Sequence, residues 1–310
     1  MAIYLAKRLA SAVLIMLVIS LILFALFEAD KDAIAISVLG PYAMEEQRSL
    51  WLEANGYNQP MAVRYFQWLG GAITFDFGES LRYKVPVSDI LLERLWNTAV
   101  LGFWAFMFMV MIGLVLGVLA GMREGSRLDR TISVVSIGTT SVPEFASAVL
   151  MSFIFVFYLQ WLPGTSGMAD GFDPLQLILP VLVLVTYSFG YVARMTRASM
   201  ADVMQQHYIR TAFLKGLPYQ TVILRHALRN ALIAPFTIIV LQINWLLSGV
   251  IVVEYFFNYK GYGSLLIEAA LNRDVYLVQG CAVVAVLVAV STQVLADIGY
   301  MYLNPRIRFS

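Results

Sequence analysis

"WNTAVLGFWAFMFMVMIGLVLGVLAGM", Trp96–Met122, runs for 27 residues without a charged side chain. A bilayer core takes about 20 apolar residues of helix at about 1.5 Å rise each. Five further stretches are long and apolar enough to cross: Leu9–Phe27, Thr131–Leu162, Leu175–Ala193, Pro235–Val253 and Val275–Tyr302. In lipid only helices and closed barrels satisfy every backbone group. Barrel strands alternate in polarity, whereas these runs are unbroken. The sequence therefore predicts an all-α, polytopic membrane protein of six transmembrane helices and a single membrane domain over residues 1–310. The bulk numbers agree: 60% of residues are hydrophobic and 13% charged, against about half and a quarter in soluble chains.

The first run follows Lys7 and Arg8, as a secretory leader would. It is longer than a leader's apolar core and no small-x-small cleavage site follows, so a retained span is expected. Loop cations set the orientation. With the N-terminus inside, the inner segments hold Lys7, Arg8, Arg123, Arg127, Arg130, Arg194, Arg197, Arg210, Lys215, Arg225, Arg229, Arg306 and Arg308, which is 13 of the 21 Lys and Arg. Their acids are Glu124, Asp129 and Asp202. Both termini are expected in the cytoplasm.

Two connections are long. The outer loop, residues 28–95, is net acidic. Its "PYAMEEQRSLWLEANGYNQPMAVRYFQWLGGAI" reads as two short helices, the first opened by Pro41 and the pair punctuated by "NGYNQP". "FDFGESL" reads as a turn at Gly78, and Ser88 as an N-cap leading into the second span. An ordered external cap, a docking surface for a soluble partner and a plain solvated loop all fit that composition. The inner connection, residues 194–234, is basic. The fourth span continues into it as a helix with Met200, Val203, Met204, Tyr208 and Ala212 on one face. Gly216 ends that helix, since glycine tolerates the left-handed cap. Pro218 suits the first turn of the next, "YQTVILRHALRNALIA". There Arg225 and Arg229 share a face, and Ile223, Leu224, Ala227, Leu228 and Ala231 make an apolar side. The result is a helix–glycine–helix hairpin.

Much chemistry is missing from this sequence. No G-x-x-x-x-G-K-[ST] phosphate loop and no H-E-x-x-H occurs, so this chain cannot hydrolyse ATP by the first of these. His207 and His226 have no metal-ligand spacing, and no nucleophile–base set can be assembled. No metal site, cofactor or nucleic-acid partner is expected, and membrane lipid is the implied surroundings. Cys281 allows no intrachain disulfide and reads as a small buried hydrophobe. Polar groups inside spans mark solute paths; here they are Glu144, Gln242, Asn244, Gln293 and Asp297. Glu144, Gln242 and Asn244 are the candidate path residues. For Glu144 a structural hydrogen bond is the competing account, and for Asp297 an interfacial anchor. Glu254 falls at the outer end of its span, within reach of water. The aromatic cluster "VEYFFNYKGYG" reads as an interfacial belt.

The residues of the hairpin resemble a known family, the first permease subunit of dipeptide and oligopeptide ABC importers, a branch that also includes nickel and other solute systems. The general permease motif, E-A-A, three residues, G, nine residues and I-x-L-P, is met only at Ala212, Gly216 and Leu228. The peptide branch reads Y-x-R-T-A-x-x-K-G-L followed by R-H-A-L-R-N-A-L. It is matched by Tyr208, Arg210, Thr211, Ala212, Lys215, Gly216 and Leu217, then by Arg225 through Leu232. "ARMTRASM", "DFGESL", "WLPGTSG", "VVEYFFNYKGYGSLL" and "NPRIR" extend the likeness over most of the chain. His207, Pro218, Lys260 and Asn304 depart from it. The resemblance implies a type I ABC importer transmembrane domain in a bacterial or archaeal inner membrane. It implies a homologous second permease, two ATP-binding subunits carrying ATP and Mg, and a periplasmic solute-binding protein. The hairpin, through Tyr208, Arg210, Thr211, Ala212, Lys215, Gly216, Leu217, Arg225 and Arg229, would couple to the ATPase. Without the resemblance, a proton-coupled secondary transporter using Glu144 and Asp297 is the alternative; an intramembrane enzyme lacks a catalytic constellation.

Overall fold

A computed structural model describes residues 2–168 and 171–303. The apolar runs form α1 (Ala2–Glu28), α5 (Val87–Gly121), α8 (Pro174–Met204), α12 (Ile233–Phe256) and α14 (Val275–Leu303). Among the described residues, four helices are long and apolar enough to cross a membrane by themselves, and up to six crossings result if each of two bent helix pairs counts as one. Among the described residues there is no strand, only an isolated bridge between Glu79 and Pro86.

The predicted third span is not one rod. It divides into α6 (Arg127–Ser141) and α7 (Glu144–Ser152), the latter running on as a π-helical stretch, Phe153–Tyr158. The two axes differ by 103°. The cause is local: Val142, which precedes Pro143, is extended at φ −90° and ψ 125°, as the proline ring requires of its neighbour. Apolarity measures length but not direction, so the sequence shows the proline without showing the bend.

The chain packs as two units. The first comprises Met1–Thr98 and Lys260–Val294. It holds α1, three short helices α2 (Lys31–Leu39), α3 (Glu45–Ala54) and α4 (Met61–Ile73), the start of α5, α13 (Tyr262–Leu271) and most of α14. Two short helices were expected in this loop; α2 is a third. Its start is fixed by Asp30, whose side chain accepts from the Ala33 N–H. The next helix begins at Glu45 rather than at Pro41, and α5 begins at Val87, so Ser88 lies inside its first turn rather than capping it. Tyr65, Trp68, Phe77, Val87, Leu91, Leu277 and Cys281 form the core of this unit. Cys281 is a free, buried thiol there.

Asp274 organises the outer loop. It is fully buried and caps α14 by accepting the Leu277 N–H at 3.2 Å. Its other oxygen accepts from Ser80 Oγ at 2.5 Å and the Arg82 N–H at 3.2 Å. Nearby, Tyr83 donates to Glu268 at 2.6 Å. Burial, then that bond, pushes the Tyr83 phenol up to about 12, so it remains a donor.

The second unit, whose main stretch is Ala99–Tyr259, is built around α8. Val183, Leu184, Val192, Thr196 and Met200 on this helix are fully buried. Lipid tails are as apolar as leucine, so helices associate in a membrane through close packing rather than through exclusion of water. The seam between α5 and α8 shows how. Gly113, Gly117 and Gly121 recur every four residues along α5. A Cβ on Gly117 would stand 2.5 Å from Thr196 Cβ and 2.6 Å from the Ala193 carbonyl oxygen. The two backbones meet with no side chain between them on the α5 face.

Candidate functional site

The predicted hairpin forms, with adjusted boundaries. Helix α8 ends at Met204, and α9 (His207–Leu214) restarts after Gln205 and Gln206. Gly216 follows at φ +74°, a left-handed value open to glycine at little strain. Its N–H donates to the Phe213 carbonyl at 2.9 Å, closing the end of α9. A Cβ at Gly216 would meet nothing within 4 Å, so its dihedral and not crowding demands glycine. Pro218 then caps the returning segment. This consists of α10 (Tyr219–Thr221), a π-helical stretch Val222–Ala227, and α11 (Leu228–Ala231).

The apolar face differs by a few residues from the one expected. Met200, Ile209, Ala212, Val222, Ile223, Ala227 and Ala231 are buried together against Val118, Met122, Val203 and Met204. Tyr208 and Leu224, both assigned to that face by helical spacing, are instead 43% and 63% exposed. Restarting α9 at His207 rotates Ile209 inward in place of Tyr208. The π-helical stretch takes more residues per turn than the 3.6 assumed, so Val222 turns inward and Leu224 outward. Burying a side chain such as Ile209 or Ile223 from water contributes about 1.5–3 kcal/mol, which seats the hairpin firmly on α8.

The polar residues predicted to act here reach solvent. Arg210, Thr211, Lys215, Arg225 and Arg229 are exposed, and Ala212 is buried beneath them. Leu217 is 36% and Leu214 80% exposed. Tyr208 Oη accepts from Asn230 at 3.0 Å, tying α9 to α11. The Phe213 and Tyr219 rings stack at 5.9 Å across the turn. The tip is thus an ordered basic ridge with apolar side chains at its crest.

A contact unseen in the sequence fixes the ridge's support. Arg197 on α8 donates through Nε and Nη2 to both oxygens of Asp129, each at 2.9 Å. Asp129 also accepts the Gly125 N–H at 2.9 Å, and the Ser126 side chain accepts the Asp129 N–H, starting α6. Glu124 stands 3.6 Å from Arg197 and accepts from Gln205 at 3.0 Å. The α5–α6 turn is therefore tied to the stretch of α8 that carries the hairpin. "SRLD" carried the capping signature, but nothing in it names Arg197.

Among the span acids, Glu144 opens α7 immediately after the bend. A carboxylate is favoured at a helix N-terminus by the backbone dipole. One of its oxygens is buried and has no hydrogen-bond partner among the described residues. It lies close enough to Tyr187 for the two to interact electrostatically. Tyr187 and Tyr191 have ring centroids 6.1 Å apart, Tyr187 stacks on Trp245 at 4.6 Å, and the Arg194 guanidinium lies 5.2 Å from the Tyr191 ring. Their i, i+4, i+7 spacing on α8 was the available signal. Gln242 is 8% exposed and donates to the Ser188 carbonyl at 3.4 Å, linking α12 to α8. The side chains of Asn244 and Asp297 lie outside what the structure describes, as do residues 304–310 with their "NPRIR".

Two family models match this chain: the binding-protein-dependent transport system inner membrane component over residues 113–309, and the N-terminal part of such a membrane component over residues 1–102. A putative peptide transport system permease protein of Brucella abortus (strain 2308) is 35% identical over 307 residues, covering 98% of each chain. The oligopeptide transport system permease protein AppB of Bacillus subtilis (strain 168) is 33% identical over 317 residues, covering all of both. Among solved structures, the inward-facing MetNI methionine ABC transporter matches with a TM-score of 0.55 at 18% identity, over 69% of this chain and 96% of that one. The last likeness is one of fold. Nothing in these matches favours a proton-coupled transporter.

Proposed function

This chain belongs to the binding-protein-dependent transport system inner membrane component family, and from that premise we propose that it moves short peptides inward by alternating access. It is the permease subunit of an ATP-driven ABC importer and is not itself catalytic. Peptide is the solute class named for the relatives that match it end to end. A periplasmic binding protein delivers the solute, a homologous second permease completes the pore, and two ATPase subunits hold ATP and Mg. The N- and C-termini and the hairpin face the cytoplasm, as the loop cations require.

The observation that carries the coupling role is the hairpin tip. Its apolar side is buried against α8 while Leu214, Leu217, Tyr219 and the cations are turned outward. A partner seated there pushes on α9 and α10, and α8 transmits the push to its tightly packed neighbours. We assign the solute path of this subunit to Glu144 with Tyr187 and Tyr191, with Gln242 behind them serving helix packing. Asn244 shares the path on the strength of its sequence position.

Reconstitution tests this reading. Peptide uptake into proteoliposomes should require both the binding protein and the ATPase subunits; uptake that proceeds without the ATPases overturns it. Glu144→Gln should lower uptake while assembly with the ATPases stays intact. Unchanged uptake would leave Glu144 a purely structural group.

A further inference from the structure

The first unit contains a second polar site, which shares no residue with the hairpin or with the surroundings of Glu144. A cavity of about 470 Å³ opens between α4, the loop after it and the start of α14. That lies within the range of roughly 300–1,000 Å³ usual for small-molecule sites. Its walls carry two cations, Arg64 and Lys84, two acids, Asp76 and Glu79, and three aromatic side chains, Phe24, Trp68 and Tyr276.

Three features mark it as built rather than incidental. The Arg64 guanidinium is held over the Tyr57 ring at 4.6 Å and the Phe24 ring at 5.6 Å, which fixes a normally mobile side chain. Trp68 is 7% exposed, and its indole N–H, a donor that buried sites almost always satisfy, has no partner among the described residues. Gly78, at φ +89°, brings its backbone against Tyr276, where a Cβ would meet the ring at 3.4 Å. The loop there is shaped by Asp76, which accepts the Gly78 N–H at 3.0 Å.

We propose that this cavity binds a short zwitterionic peptide, its carboxylate toward Arg64 and Lys84 and its ammonium toward Asp76 and Glu79. Two charges of each sign favour a solute that is neutral overall but charged at both ends; a simple anion or cation meets a repelling wall. A guanidinium donates charge-assisted hydrogen bonds to a carboxylate. Gln59 and Gln67, also in the walls, present amides able to both donate to and accept from peptide groups. The assignment rests on the peptide reading above. It adds a site on the permease itself, one that holds solute without the binding protein.

The experiment titrates the assembled importer in nanodiscs, without binding protein, with trialanine by calorimetry. Two further probes, trialanine amide and N-acetyl-trialanine, each lack one end charge. Saturable binding of trialanine is expected, weakened at least tenfold by blocking either end. Arg64→Gln should weaken it at least tenfold. Lys84→Gln and Glu79→Gln, on exposed loop residues whose change leaves the fold intact, should weaken it severalfold each. Trp68→Phe should remove a trialanine-dependent change in indole fluorescence. No binding, or binding indifferent to all four substitutions, overturns the proposal. Uptake of trialanine with binding protein present is scored separately. If uptake persists where this binding is absent, the cavity assignment fails and the peptide reading survives. If neither uptake nor binding occurs, both fail.

Discussion

The seam between α5 and α8 and the tip of the hairpin each turn on a glycine, for opposite reasons. Gly117 has ordinary helical geometry and no room: a Cβ would fall within 2.6 Å of both a side chain and a backbone carbonyl. Gly216 has all the room it needs and an unusual dihedral, φ +74°. One position is a packing constraint and the other a conformational one. The seam must stay closed for the helices to move as a body. On the coupling role proposed for it, the tip must keep its turn for a partner to find the same surface each time.

Substitutions can separate the two. The largest effect is expected at the seam. Gly117→Leu drives a side chain into α8, and overpacking of this kind costs about 1–3 kcal/mol, occasionally more. Loss of monodisperse, assembled complex on size-exclusion chromatography is the expected result; a normal profile would show that α5 and α8 are not in close contact. At the tip the effect is smaller and should rank by backbone preference. A residue with a Cβ in the left-handed region costs roughly 1–2 kcal/mol, and asparagine is the exception. Gly216→Asn should therefore retain most solute-stimulated ATP hydrolysis, Gly216→Ala less, and Gly216→Val least, with assembly of the spans intact in all three. Equal loss in all three variants would mean that contact with the partner, not the dihedral, sets the requirement. The smallest effect belongs to the link between these regions. Arg197→Lys removes the forked pair with Asp129 while keeping the charge. It should lower the solute moved per ATP by a few fold without changing assembly. Asp129→Asn should do the same, and the double variant no more than either, because the pair acts as a unit.

The sequence was informative where a local rule governs. Apolar length located α1, α5, α8, α12 and α14, and Gly216 and Pro218 bracketed the hairpin's turn. It was less informative where geometry depends on counting. A π-helical stretch at Val222–Ala227 and a restart at His207 each moved the buried face, because a fixed 3.6-residue period cannot register either change. It was silent where contacts are distant. Asp129 and Arg197 are 68 positions apart, and no pattern near either names the other. The bend at Pro143 falls between these cases: the residue is visible in the sequence, but the 103° angle between the two helices is not.

Asp274 holds Ser80 and Arg82 across 194 and 192 residues of chain. A protein made from its amino end presents the outer loop long before that anchor has been synthesised. At about 5–20 residues per second of translation the wait is on the order of ten to forty seconds. Throughout it the Ser80 hydroxyl and the Arg82 amide have no native acceptor. A nascent chain arrested short of Asp274 should therefore be cut in this loop by protease, while the finished chain resists. One late carboxylate thus makes the exterior of the molecule a record of whether its synthesis was completed.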